Sequence, residues 1–216
     1  MSAARRAVAL IALFALLAAC QSAYYGTLEK FGIAKRDVLV DRIAAARASQ
    51  GEAEQAYVDA LEQFRSVVAF NGGNLEATYQ KLKGELDVAQ ARAATMSERI
   101  GAVESVADAL FREWTKELTQ YQDAGLRARS KGQLDRTRAR YETVRQAMRR
   151  AEASFKPALA ALNDQVLYLK HNLNAVAIGA IKDELPRIQA DADRLRGDIR
   201  KATQEADRFL REFKTP

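Results

Sequence analysis

The sequence predicts an all-α protein, an elongated up-down-up-down antiparallel helical bundle of the coiled-coil kind. Three observations carry this. The chain of 216 residues has only 11 Gly and 3 Pro, and Ala, Leu and charged residues dominate, which is the composition of long helices. Apolar residues recur every seven positions in four long runs, a period that strands cannot produce. The breaks between runs are short, and short connections make consecutive helices antiparallel neighbours.

The N-terminus stands apart from this pattern. Residues 1–19 read as a lipoprotein signal peptide, cleaved from the mature chain: Arg5 and Arg6 lead, an apolar run from Ala7 to Leu17 follows, and small residues close it. The run falls short of the roughly 20 residues that a permanent transmembrane helix needs. Cys20, the only cysteine, stands where the run ends. Leu17-Ala18-Ala19-Cys20 resembles the bacterial lipobox, in which the thiol takes a diacylglyceryl group and a peptidase then cuts before it. The small residues leave room for that enzyme. The expectation is a covalent diacylglyceryl and N-acyl lipid on Cys20 and no other cofactor. Each buried acyl methylene contributes about 0.8 kcal/mol, and two or three chains anchor stably. Gln21 follows, where by the same resemblance an aspartate would act as an inner-membrane retention signal. The outer membrane's periplasmic face is therefore expected, with the inner membrane second. Residues 20–35 form a lipid-anchored linker and 36–216 a single long helical-bundle domain.

The first helix is expected near 36–70. Its seam is the weakest: Leu39, Ala46, Ala53, Ala60 and Val67, with Ile43, Gln50, Tyr57 and Phe64. The second, near 75–123, has the clearest one. Leu75, Leu82, Ala89, Met96, Val103 and Leu110 run beside Tyr79, Leu86, Ala93, Ile100, Ala107, Trp114 and Tyr121. The third, near 130–172, pairs Leu134, Tyr141, Met148, Phe155, Leu162 and Leu169 with Thr137, Val144, Ala151, Ala158 and Gln165. The fourth, near 175–214, pairs Ile178, Leu185, Ala192, Ile199, Ala206 and Phe213 with Ile181, Ile188, Leu195, Ala202 and Phe209. Asn71-Gly72-Gly73-Asn74 ends the first helix with glycines, and Asn74 can N-cap the second. Ser130 is the expected cap of the third helix and Asn174 of the fourth, with a loop over 124–129.

Folding the chain at these turns puts Cys20, the loop 124–129 and the C-terminus at one end. There Tyr24, Tyr25, Phe31, Trp114, Tyr121, Phe209 and Phe213 form an aromatic cluster, either packing of the bundle end or an interfacial anchor. Gly51, Gly101, Pro157 and Pro186 project to similar heights in the middle, a narrow and curved waist. Gln50 and Gln165 interrupt the seams near that level and can set register.

Charge gives one feature above background. The chain holds 34 basic and 28 acidic residues, and losing Arg5 and Arg6 leaves a mature net charge of +4. Because the mature chain is expected outside the cytoplasm, this balance is not read as nucleic-acid binding. Within 127–150, nine basic residues face only Asp135 and Glu142, a local +7 in 24 residues. The bland reading is a solvated helix face paired with acidic neighbours. The functional reading takes Arg127, Arg129 and Lys131, at the lipid-proximal end, as the contact with an anionic membrane. Each such residue is worth about 1 kcal/mol within a Debye length of the surface.

No catalytic constellation is found. His171 is the only histidine, so metal clusters of His and Cys are not expected, and no phosphate loop, nucleophile elbow or zinc-binding helix occurs. Asp183 with Glu184 and Asp191 with Asp193 read as solvated charges, and His171 as the cap of a helix-end carbonyl. The expectation is no catalytic residue, no metal and no enzyme activity.

The stretches "CQSAYYGTLEKFGIAKRDVLVDRI", "VADALFREWTKELTQY" and "MRRAEASFKPALAALNDQVLYLKHNLNAVAIGAIKDEL" resemble the bacterial lipoproteins grouped as domain of unknown function 2959, over nearly the whole mature chain. The resemblance implies a secreted helical lipoprotein without an established activity, so only Cys20 carries a role over. The function expected is a non-enzymatic envelope lipoprotein, a structural or interaction module that binds an envelope protein or lipid. The alternative is a periplasmic carrier of lipid or lipopolysaccharide, and a cell-wall hydrolase finds no residues to serve it.

Overall fold

The computed structural model describes residues 35–214. Four long helices, α1 (Lys35–Val68), α2 (Leu75–Glu117), α3 (Ala124–His171) and α4 (Ala175–Lys214), make up almost all of it, with one 3-10 turn, Leu118–Gln120, after α2. Cys20, Tyr24, Tyr25 and Phe31 lie outside the described residues, as does the side chain of Phe213.

The heptad seams are the core. Every seam residue of α1, the weakest pattern, is buried, including Tyr57 and Phe64. In α3 both seams are buried except Gln165, which is half-buried. In α4, Ile178 and Leu185 are only half-buried, and in α2 the same holds for Leu75, Ala93 and Trp114. The buried stripe is also wider than the seams. Ala56, Leu61, Val106, Phe111, Ala147, Ala161 and Val166 join it, because a helix in a four-helix bundle faces two neighbours rather than one.

The helices pack as an antiparallel square. α1 lies on α2 and α4, and α3 on α2 and α4, while α1 and α3 barely meet. Cross-helix bonds give the direction. Ser154 donates to Asp198 at 2.5 Å and Arg140 pairs with Glu212 at 2.8 Å, so the α4 partner moves toward its C-terminus as α3 is followed back toward its start. Likewise Lys35 pairs with Glu113 at 2.9 Å and Arg92 with Glu52 at 3.0 Å. At 1.5 Å per residue, the 48 residues of α3 span about 72 Å, so α3 and not α2 is the longest element.

Two of the three turns form as expected. Gly72 and Gly73 take φ of +142° and +106°, a region that only glycine enters without strain, and the Asn74 side chain accepts from the Ala77 N–H at 3.0 Å. Asn174 caps α4 in the same way through the Ala177 N–H at 3.0 Å. The turn between α2 and α3 differs. α3 begins at Ala124, its N-cap is Asp123, whose carboxylate accepts from the Leu126 N–H at 2.7 Å, and 124–129 is helix rather than loop. A charged cap satisfies an orphan N–H where α3 now starts. Gly125 in the first turn suits it, since a Cβ there would stand 3.2 Å from the cap oxygen. Ser130, released from capping, accepts the indole N–H of Trp114 at 2.9 Å.

The waist is also revised. The Arg92–Glu52 pair sets Gly51 beside Ala93. Pro157 lies between two α2–α3 bonds, Gln90 to Asn163 and Ser97 to Glu152, at that same level. Gly101 lies about two turns from that level by helical rise. Pro186 lies toward the opposite end, since its near neighbour Gln189 bonds Arg65. Gly51 and Pro157 share a height; the other two do not.

Candidate functional site

The end of the bundle where α1 begins gathers the residues of interest. The Lys35–Glu113 pair brings the start of α1 against the last turns of α2, and the Arg140–Glu212 pair brings the end of α4 to the first half of α3. The basic segment therefore starts at the end from which residues 20–34 lead to Cys20, which itself lies outside the described residues.

The nine basic residues of 127–150 separate into two groups. Lys131 pairs with Asp135 at 2.6 Å and Arg140 with Glu212. Arg145 makes hydrogen bonds to both Glu142 oxygens, at 2.8 and 2.6 Å, and Arg149 holds Glu104 and Glu152. These are the solvated, neutralised face of the bland reading. Arg127, Arg129, Arg136, Arg138 and Arg150 are exposed and have no carboxylate partner among the described residues. Of the three candidate membrane contacts, then, Arg127 and Arg129 are free on the first turns of α3, and Lys131 is engaged by its own helix.

Apolar side chains accompany the two free arginines. Tyr121 and Leu126 are exposed, on the turn into α3 and on its first turn. Tyr121 thus continues no seam: α2 gives way to the 3-10 turn at Leu118, and the residue swings out of the core. Trp114 is half-buried and tied to Ser130, and Phe209 is buried. Most of the expected end cluster lies outside the described residues; between α2 and α3, Phe111 and Tyr141 make a further aromatic pair, with ring centroids 5.5 Å apart and planes at 62°. Arg138 lies over the Phe111 ring at 5.3 Å and donates to the Thr115 hydroxyl at 3.3 Å.

Electrostatics follow these contacts. The hydrogen bonds from Arg145 and Gln146 hold the Glu142 carboxyl down to about 2, and the Arg149 hydrogen bond, with smaller help from Arg145, lowers that of Glu104. Burial first, then the charges of Glu104 and Asp108, push the Tyr141 phenol up, so it stays a hydrogen-bond donor. The α2–α3 ion-pair network could not be read from the sequence, because its members are far apart in the chain and the heptad pattern does not fix rotation on the polar face.

At the opposite end His171 is exposed in the last turn of α3. One carbonyl of that turn, that of Tyr168, accepts from the Asn172 side-chain amide at 2.9 Å. Among the described residues no group of three or more His, Cys, Asp and Glu is placed to hold a metal ion, and no helix is long and apolar enough to cross a membrane.

A family model described as "Protein of unknown function (DUF2959)" matches residues 24–213. No curated protein matches the chain.

Proposed function

We propose, for a chain that belongs to the DUF2959 family of proteins of unknown function, that it is a non-enzymatic lipoprotein of the cell envelope. In this reading a rod held by lipid on Cys20, at the periplasmic face of the outer membrane, binds or spaces other envelope components. The observation that carries it is that Arg127 and Arg129 stay unpaired among the described residues while Lys131, Arg140, Arg145 and Arg149 are neutralised. The unpaired two stand at the end where α1 starts. Lys35 lies fifteen positions after Cys20, and a chain of that length reaches at most about 50 Å, so the lipid keeps this end near its leaflet. Tyr121 and Leu126 beside the arginines suit an interface that is polar above and apolar below.

A closed core supports a rod over a lipid carrier. Leu82, Met96, Met148, Leu162 and Leu169 are fully covered by neighbouring helices, whereas a carrier needs apolar surface left for acyl chains. At the far end Leu167, Tyr168 and Val176 are exposed, the surface that an envelope partner would meet. The test is Cys20→Ser in cells, followed by fractionation. The substitution should leave unprocessed precursor or a soluble product, and a variant that matures normally and stays with the membrane ends the reading.

A further inference from the structure

We infer that Asn71, in the turn between α1 and α2, is a site of spontaneous covalent modification, its side-chain amide displaced by the backbone nitrogen of Gly72. This concerns the far end of the rod and does not depend on the lipid anchor. The Gly72 nitrogen gives up its proton and bonds to Asn71 Cγ. The bond from Cγ to Nδ2 breaks, and the amide nitrogen leaves as ammonia. Water then opens the five-membered succinimide at either carbonyl, giving aspartate or isoaspartate. One water is taken up for each ammonia released, and no other reactant is needed.

Asparagine is among the thermolabile residues, and the fold decides which of them can react. The chain has five, and four are committed. Asn74 and Asn174 accept from the Ala77 and Ala177 N–H groups, each at 3.0 Å. Asn172 donates to the Tyr168 carbonyl at 2.9 Å. Asn163 lies inside α3 and accepts from Gln90 at 3.5 Å. Within a helix the following N–H is also held by the backbone ladder, so it cannot serve as the nucleophile. Asn71 differs on each count. It is exposed, and neither its side chain nor the Gly72 N–H has a hydrogen-bond partner among the described residues. Gly72 has no side chain to crowd the attacked carbon, and nothing stands within 4 Å of where a Cβ would lie on Gly72 or Gly73. Glycine's conformational freedom lets that peptide unit swing toward the side chain without strain. Either product places a carboxylate in the stretch 69–74, which has no charged residue, and isoaspartate adds a methylene to the backbone there. The change falls at the end that carries Leu167, Tyr168 and Val176, so it marks that end of an aged chain while leaving the core seams intact.

The test ages the purified full chain in mildly alkaline buffer and follows the peptide 66–81, which holds both Asn71 and Asn74. Mass spectrometry with fragmentation that separates isoaspartate from aspartate reads both positions. Asn71 should gain about one mass unit, with isoaspartate exceeding aspartate, because ring opening and not direct hydrolysis makes the product. Its rate in the folded chain should lie within tenfold of that in the free peptide 66–81, since the fold does not hold the residue back. Asn74 in the same folded chain should lag at least tenfold behind Asn71. Gly72→Ala should slow the loss at Asn71 at least tenfold in chain and peptide alike, and the peptide result stands whether or not the variant chain folds. A folded chain that reacts tenfold or more slowly than the peptide overturns the inference. So does aspartate without isoaspartate, a rate at Asn74 within tenfold of that at Asn71, or a Gly72→Ala rate within tenfold of the parent.

Discussion

Gln50 is fully buried on α1, and neither its amide oxygen nor its nitrogen has a hydrogen-bond partner. The heptad pattern exposed it as a polar side chain in an apolar seam, beside Gln165, but could not say which of the two is enclosed. Gln165 is half-buried, so any role in fixing register falls to Gln50 alone. A buried amide without partners costs about 1–3 kcal/mol, and a single polar seam residue can specify register at that cost. Gln50→Leu, close in size, should therefore raise stability by about 1–3 kcal/mol. Urea unfolding of both chains measures it, and a less stable Leu variant would mean that the amide is satisfied in solution. Tyr57, two turns along the same seam, presents a similar case: burial holds its phenol protonated, and its hydroxyl lacks a partner.

The next scale is the helix, and α3 shows how much of an element can be read in advance. Its seams were legible because burial repeats with the helical period, and Leu134 through Leu169 are buried as the spacing requires. Its start was not legible, because Asp123 and Ser130 are equally good caps by residue type. Which one serves depends on where the preceding helix gives way. Its polar face was legible only as a surplus of arginine. The structure sorts that surplus, and the Glu104–Arg149 contact binds α3 to α2. Both carboxyls of this network, Glu104 and Glu142, titrate lower in the folded protein than the ordinary value of 4.5. Their contribution is thus full above the unfolded value and is lost as pH falls toward the folded ones. Glu104→Gln should cost about 1 kcal/mol at pH 7, after allowance for solvent screening, and the difference from the parent should shrink as pH falls below the ordinary carboxylate value of 4.5. Urea midpoints across that range would show it, and a gap that does not change with pH would remove the ion pair as the cause.

For the whole molecule, the antiparallel order followed from loop length alone, and the cross-helix bonds agree with it from Lys35–Glu113 to Ser154–Asp198. Heights along the rod were less secure, since one misplaced turn shifts every later helix. The central quartet of glycines and prolines came apart on direct contacts: the Arg92–Glu52 pair of α1 and α2 sets Gly101 off from Gly51, and the Arg65–Gln189 bond of α1 and α4 sets Pro186 off from both. The end assignment survives such a shift, because a few residues are little beside a helix of about 72 Å. A length-dependent prediction follows for the membrane contact. Arg127 and Arg129 stand on the first turns of α3, whereas Arg150, equally free of carboxylates, lies 21 residues beyond Arg129, about 32 Å along the axis. That is several times the Debye length of about 8 Å at physiological salt, so Arg150 lies beyond the reach of the headgroups that the other two meet. Basic residues near an anionic leaflet contribute about 1 kcal/mol each, which is roughly fivefold in affinity. Arg127→Glu and Arg129→Glu should each weaken binding of the unlipidated chain to anionic vesicles by fivefold or more, Arg150→Glu should not, and added salt should erase the difference. Vesicle sedimentation decides it: equal losses at all three positions would place the contact along the rod instead of at its end, and no binding by the parent would return Arg127 and Arg129 to an ordinary solvated surface.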